Sequence, residues 1–389
     1  MTRHPESSGR ARRRGAPARH FGTGRAGGGG LARALAAAAL ALGVCWTVPA
    51  GAGPVPADLG QRLAQGYAAP ATARLAASAE RLRQGLAAYC ERSGPDGAAA
   101  QTLERAFGDT VLAWAGVMFL RFGPLVQDNR YERIAFWPDP RGVMQRQVQG
   151  LLSSPEAAGL DAGMLAGRSV ALQGLPALEF VLYRDGGLLR QAEPQAAECR
   201  YAGALAQVLV RTVRELAQAW SGQGEFAQDF SRPGPQRNAY RSQREVAAEA
   251  VKALSGGLQF ARDIQLAPTL AEPYRDSLAR RAPFWRSGLT VAFLRAQAQG
   301  LLAFYDTARW GFDARNAGMD QSIRHELAQW EQVLAGLPGR PYAELLQDEA
   351  ARGRLGLLLL VLQNARSLVD QDLAGYLGIA VGFNALDGD

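Results

Sequence analysis

The chain has 389 residues, of which 48% are hydrophobic and 20% charged, values typical of a folded globular protein with a substantial core. They exclude an intrinsically disordered chain, which would be poorer in apolar residues. The net charge of +7 comes from residues 1–52, which hold eight arginines and one acidic residue; the remainder has equal numbers of basic and acidic side chains. A chain that is neutral beyond this segment lacks the basic surface that nucleic acid requires, and we expect no nucleic-acid partner.

Residues 1–52 have the pattern of a signal peptide, with an arginine-rich region, an apolar segment over 34–44 and a small-residue cleavage site ending at Ala52. We therefore expect an exported protein of the periplasm or cell envelope. One alternative is a lipoprotein anchored at Cys45, which ends an approximate lipobox and would be the only link to a membrane. An uncleaved anchor is the other, although the uncharged run 34–50 is shorter than the roughly 20 residues that span a bilayer.

Two cysteines, Cys90 and Cys199, remain after removal of the signal peptide. Both lie in segments with a helical pattern. Because an exported protein meets an oxidising environment, we predict a disulfide that joins two helices far apart in the sequence. Two buried free thiols are the alternative.

Apolar residues recur at spacings of three and four, which is the pattern of amphipathic helices with one face in a core. Three such stripes lie in residues 103–118, 201–220 and 323–334. No comparable set of alternating strands is present. The sequence therefore predicts an all-α protein built from helix bundles.

The segment 221–236 interrupts the helical pattern with three glycines, two prolines and several polar residues. Such a composition is typical of a domain boundary. We predict helical-bundle domains over residues 53–225 and 226–389, which are comparable in length.

The most informative stretch is Gly174, Leu175, Pro176, Ala177, Leu178, Glu179 and Phe180. It has the frame of a Gly-x-His-x-x-Glu motif, with proline in the place of the histidine. A histidine and a glutamate three residues apart lie on one helix face and can reach one metal ion, but Pro176 has no donor atom to offer. Its ring suits the first turn of a helix, where a missing N–H costs nothing. We predict that a helix begins here, with Glu179 about one turn inside.

This frame and four further segments resemble the imelysin family of bacterial cell-envelope proteins: residues 121–125, 128–130, 136–142 and the C-terminal 382–389. The likeness covers residues 75–389. It implies two helical-bundle domains that face each other. The family takes its name from an insulin-cleaving metallopeptidase, and its members include iron-regulated envelope proteins and periplasmic parts of iron-uptake systems. The resemblance therefore implies a connection to iron or a metallopeptidase activity.

Glu179 is the residue around which we expect a site. Its neighbours make an apolar turn, so its carboxylate must be paired, hydrogen-bonded, bound to a metal or protonated. The other candidate ligand or metal residues are Asp139, Tyr183, Arg121 and Arg141. Oxygen ligands suit iron or another hard cation, whereas an arginine would hold the carboxylate in a two-pronged contact. The cofactor stays open, and a salt bridge that only locks two parts of the fold together is the alternative.

Histidine chemistry outside the signal peptide depends on one residue, His325. Catalytic zinc sites usually use at least one histidine, and a serine triad would need the same side chain. Nothing beside His325 resembles a ligand set, and we expect a structural histidine on a helix. The sequence also lacks the Gly-x-Ser-x-Gly, His-Glu-x-x-His, P-loop and dinucleotide motifs, so we predict no catalytic residue.

Three functions fit these observations. The first is a non-peptidase binding protein linked to iron uptake or envelope physiology, with a metal ion or an envelope protein as its partner. The second is a metallopeptidase of the imelysin type, against which Pro176 counts because the loss of one ligand weakens a metal site strongly. The third is a structural or interaction protein without a ligand site.

Overall fold

A computed structural model describes residues 53–92, 96–191, 196–271 and 278–380. The predicted signal peptide with Cys45 and the C-terminal residues 382–389 lie outside these ranges. Within them, nine α-helices have ten residues or more: α1 Ala69–Glu91, α2 Gly97–Ala115, α3 Val143–Leu152, α4 Gly174–Tyr183, α5 Ala196–Trp220, α6 Gln243–Gln259, α7 Thr290–Ala308, α8 Ala317–Ala335 and α9 Glu349–Ser367.

Shorter elements connect or extend these helices. The short α-helices are Leu59–Gln61, Arg130–Ile134, Ala162–Ala166, Glu225–Ser231, Tyr342–Leu345 and Ala374–Tyr376. Three π-helical segments precede α1 or follow α6 and α9: Arg62–Ala68, Phe260–Leu266 and Leu368–Leu373. The 3-10 turns are Gly123–Leu125, Gln127–Asn129, Pro155–Gly159, Val170–Leu172, Leu188–Arg190, Ala267–Thr269 and Ala279–Arg281.

The all-α prediction is confirmed. The described ranges contain no strand, only an isolated antiparallel β-bridge between Ala135 and Gly174. The predicted apolar stripes lie in α2, α5 and α8, and the tryptophans that they contain, Trp114, Trp220 and Trp330, are at most 2% exposed. Asp96 begins α2 as an N-cap, because its Oδ1 accepts from the backbone N–H of two residues in the first turn.

The helices pack in two neighbouring groups with one continuous core. In the first half of the chain α1 packs against α2 and α5; in the second half α8 packs against α7 and α9, and α9 also packs against α6. The contact between α2 and α7 joins the groups. The division into domains 53–225 and 226–389 stays a prediction.

The segment 221–236, predicted as the boundary, contains the helix Glu225–Ser231. Phe230 in this helix stacks on Phe122 with ring centres 5.7 Å apart and packs edge-on against Trp220 at 5.3 Å. Its aromatic residues thus belong to the core, which the glycine and proline content of the segment did not indicate.

The predicted disulfide is present. Cys90 at the end of α1 and Cys199 at the start of α5 are bonded, with their Cα atoms 5.8 Å apart. Beside it, the Tyr89 hydroxyl donates a hydrogen bond to the Leu188 carbonyl oxygen. The end of α1 is therefore held both covalently and by a buried hydrogen bond.

An apolar run in the sequence, residues 355–362, lies within α9 and is only partly buried. Leu355 and Leu358 are in the core, whereas Leu357 and Leu360 are 49% and 62% exposed. In the described part of the chain, no helix combines the length and apolar character that a bilayer crossing would need.

Candidate functional site

Gly174 allows α4 to begin where it does. Its φ of +77° lies in the left-handed region that favours glycine, and it forms the β-bridge with Ala135. A Cβ atom here would lie 2.3 Å from the Ile134 carbonyl oxygen, so no larger residue fits without a backbone shift. The glycine of the motif therefore sets the close approach of α4 to the segment that follows the helix Arg130–Ile134.

Pro176 and Glu179 line one cavity of about 710 Å³. As predicted, Pro176 lies in the first turn of α4, where backbone N–H groups have no partner within the helix. Because residues three apart share a helix face, the proline occupies the same cavity wall as the glutamate. The place of the motif's histidine is thus filled by a ring that cannot bind a metal.

Glu179 is hydrogen-bonded to a residue more than a hundred positions along the chain. It is 4% exposed, and its Oε1 accepts from the Ser287 backbone N–H at 2.9 Å and from the Ser287 hydroxyl at 2.8 Å. Ser287 lies in the turn between the 3-10 turn Ala279–Arg281 and α7. Phe284 and Gly288 in this turn have φ of +52° and +72°, so the backbone enters the left-handed region on both sides of the serine.

The turn also reaches the Glu179 carboxyl through the backbone N–H of Arg286, which is a further hydrogen-bond donor from the same segment. Burial raises the pKa of the carboxyl, and this rise is opposed by the Ser287 hydrogen bonds and by the charge of Arg286. Glu179 also lines the cavity, where its carboxyl can meet a ligand as an acceptor or, when protonated, as a donor.

Asp139 lines the same cavity but already has a structural role. Its Oδ1 accepts from the Val143 N–H and its Oδ2 from the Met144 N–H, each at 2.8 Å. These are first-turn donors of α3, and the positive end of the helix favours the carboxylate. Asp139 therefore stabilises the start of α3, and both of its oxygens are engaged there.

The structure places the other three predicted residues away from the cavity wall. The Arg121 guanidinium lies over the Tyr131 ring at 4.1 Å, and Arg141 is exposed. Tyr183 is one turn beyond Glu179 and packs against Phe107; burial, together with the charges of Glu104 and Glu179, raises the pKa of its phenol. Their roles in a site stay predictions, and the described contacts of Glu179 involve the turn at Ser287 instead.

Sequence reasoning missed a second part of the site, the segment 278–287. It contributes Arg280, Arg281, Trp285 and Arg286 to the cavity, in addition to the serine that binds Glu179. The sequence signal for this segment was its composition. It has aromatic residues and arginines next to proline and glycine, and it lies between two helical patterns.

Arg286 is the arginine whose charge acts on Glu179. Its guanidinium lies 4.4 Å from the centre of the Trp285 ring and 5.2 Å from that of Phe180, and it donates to the Gln145 Oε1 at 3.4 Å. Burial lowers its pKa, and the charge of Glu179 opposes this effect. Arg286 is thus held between aromatic faces at the cavity wall.

The described residues do not fit a bare zinc or iron ion. Among them, no group of three or more His, Cys, Asp or Glu side chains could hold a metal. Glu179 is held by the turn at Ser287, and Asp139 is engaged by α3. His325 is exposed on α8 and does not line the cavity.

Comparisons with known proteins agree with this architecture. The family described as Imelysin matches residues 65–369. An imelysin-like protein from Psychrobacter arcticum 273-4 has a TM-score of 0.70 and 22% identity, over 85% of this chain and 99% of that one. A protein described as an iron-regulated protein A precursor, from Parabacteroides distasonis ATCC 8503, has a TM-score of 0.66 and 12% identity, over 82% and 96% of the two chains. No curated protein matches significantly.

Proposed function

Because this chain belongs to the imelysin family, we propose that it is an exported binding protein of iron uptake or envelope physiology, without peptidase activity. The observation that carries the proposal is the cavity shared by Pro176 and Glu179. A metallopeptidase needs a metal that activates water, and the proline removes the nitrogen ligand from that wall. The cavity itself has the size of a site for a small molecule.

Export and the link to iron are supported by separate observations. The signal-peptide pattern of residues 1–52 and the bond between Cys90 and Cys199 suit an oxidising compartment. One structural relative is described as an iron-regulated precursor, which concerns that protein and not this one. If the link to iron holds, deletion of the gene should slow growth under iron chelation, and iron salts should restore the growth rate.

Metal analysis combined with a cleavage assay tests the absence of peptidase activity. We expect purified protein dialysed against zinc to retain less than one zinc ion per chain and to leave unfolded casein intact. The Pro176→His variant should bind zinc more tightly, because it restores the nitrogen donor three residues before Glu179. The double variant Pro176→His/Glu179→Ala is the matched control and should lose that gain. Metal-dependent cleavage by the unaltered chain, abolished by Glu179→Ala, would show that the proposal is wrong.

A structural protein is the second candidate, and the hydrogen bonds between Glu179 and Ser287 favour it. They connect α4 to the turn before α7, so they could serve only to hold the two halves together. The variant Glu179→Gln separates the candidates, because its amide oxygen can still accept from Ser287 while the ionisable group is lost. A structural role predicts unchanged behaviour of this variant, whereas a binding role predicts an altered affinity for a cavity ligand.

A further inference from the structure

Among the residues that the structure describes, more arginines than acidic residues line the cavity. The arginines are Arg280, Arg281 and Arg286, and the acidic residues are Asp139 and Glu179. Both oxygens of Asp139 are engaged at the start of α3, and burial favours the neutral form of Glu179. The balance of charge among these five side chains is therefore positive.

Two of these arginines are available to a ligand. Arg280 is exposed and makes no hydrogen bond or ion pair with the residues that the structure describes. Arg281 is also exposed, and its one described side-chain hydrogen bond goes to the Pro268 carbonyl oxygen at 3.3 Å. A guanidinium presents several donors in a fixed plane that matches a carboxylate, so this pair offers a ready anion contact.

Aromatic side chains also line the cavity. Phe136, Trp137, Phe284 and Trp285 line it, and Trp285 is 37% exposed, which is unusual for so large an apolar side chain. Such rings favour flat apolar bodies through stacking. Aromatic faces also attract cations, but three guanidinium groups at the same cavity oppose a cation by direct repulsion.

We infer that the cavity binds an organic anion with a flat aromatic body, whose carboxylate is held by Arg280 and Arg281 and whose ring packs against Trp285. This inference rests on the proposed binding function and names its ligand class. A volume of about 710 Å³ accommodates one such molecule with a few rings. Two sources supply this chemistry: a free aromatic acid, and a ferric complex whose ligands are aromatic acids.

Calorimetric titration of the full chain with four matched probes tests the charge preference. The probes are 2-naphthoate, the neutral 2-naphthalenemethanol, the cationic 2-naphthylmethylamine, and acetate as an anion without a ring. We expect 2-naphthoate to bind at one site at least about tenfold more tightly than the other three, since a charged hydrogen bond contributes about that factor or more. Equal or tighter binding of the alcohol or the amine, or no binding of any probe, overturns the inference.

Variants then locate the site. Arg280→Ala and Arg281→Ala should each weaken 2-naphthoate binding about tenfold, and Trp285→Ala should weaken every ring-bearing probe. Arg211→Ala, an exposed arginine of α5 outside the cavity, is the control and should change nothing. Arg280→Glu should shift the preference towards the amine, which is a readout that simple loss of folding cannot produce. Unchanged affinities in all four cavity variants contradict the inference.

The source of the ligand is tested with 2,3-dihydroxybenzoate, titrated alone and after mixing with ferric iron. Tighter binding of the mixture identifies a ferric complex, and tighter binding of the free acid identifies the acid itself; either result supports the anionic class. Failure of both forms, with retained response of the protein to iron limitation, overturns the ligand class but leaves the proposed function intact. Metal-dependent peptidase activity with retained 2-naphthoate binding overturns the proposed function but leaves the ligand class intact.

Discussion

Replacement of Glu179 by alanine should lower the free energy of unfolding by about 2 kcal/mol, whereas glutamine should be tolerated. Alanine removes both hydrogen bonds from Ser287 and one methylene group, Cγ, from a buried position. Ser287 is half-buried, so water can replace part of the lost bonding, and the loss of the two hydrogen bonds should cost about 1.5 kcal/mol. The loss of the methylene group adds about 0.8 kcal/mol.

The variant Glu179→Gln retains the shape of the side chain and an oxygen that can accept from Ser287. It also removes an ionisable group from a buried position, so we expect a change within about 1 kcal/mol of zero. Ser287→Ala loses only the hydroxyl contact and should be destabilised by about 1 kcal/mol. In the double variant Glu179→Ala/Ser287→Ala the two effects should not add, because the hydroxyl has already lost its carboxylate partner.

Equilibrium unfolding in urea, followed by far-ultraviolet circular dichroism, measures these differences. Glu104→Ala, at an exposed position of α2, is a control that should stay within about 0.5 kcal/mol of the unaltered protein. The reasoning is refuted if Glu179→Gln is as unstable as Glu179→Ala, or if the double variant shows the full sum of the single effects.

Three further predictions concern the fold and its pH dependence. Reduction of the bond between Cys90 and Cys199, which closes a sequence separation of 109 residues, should lower the unfolding free energy by about 2–5 kcal/mol in urea titrations with and without reductant. Gly174→Ala should lose about 3 kcal/mol or more because of its positive φ and the blocked Cβ position, whereas Gly150→Ala, at an open helical position, should gain up to about 1 kcal/mol; similar values for both would contradict this account. Because the folded-state pKa of Glu179 is raised, the folded protein holds more protons than the unfolded chain between the unfolded pKa of about 4.3 and the folded value, so stability should fall as the pH rises through this window. Urea midpoints between pH 4 and 8 should show a weaker slope for Glu179→Gln, and parallel slopes would count against a raised pKa.

The fold was predictable because its helices have regular apolar stripes. The spacing in residues 103–118 corresponds to one buried face of α2, and two cysteines in a chain expected to be exported predicted the bond between them. The helix Glu225–Ser231 could not be predicted in the same way, because it is too short for a periodic pattern and its flanking glycines and prolines indicate a loop.

Only the part of the site that lies on α4 could be predicted from the sequence. A spacing of three residues determines that Pro176 and Glu179 share a wall, since this is a local property of a helix. The partner Ser287 is 108 residues away in an irregular turn, and no local pattern specifies which helix such a turn contacts. The candidates Arg121 and Arg141 came from the segments that resemble the family and from the fit of a guanidinium to a carboxylate, neither of which determines nearness in space.

The disulfide also affects the order in which the cavity can be assembled. The covalent loop between Cys90 and Cys199 contains the whole of α4, whereas Ser287 lies outside it. In a chain that is unfolded but still oxidised, the motif helix therefore remains tethered within this loop. The arginine-bearing turn has no such tether, so its half of the chamber must reach the motif helix through the fold of the second half of the chain.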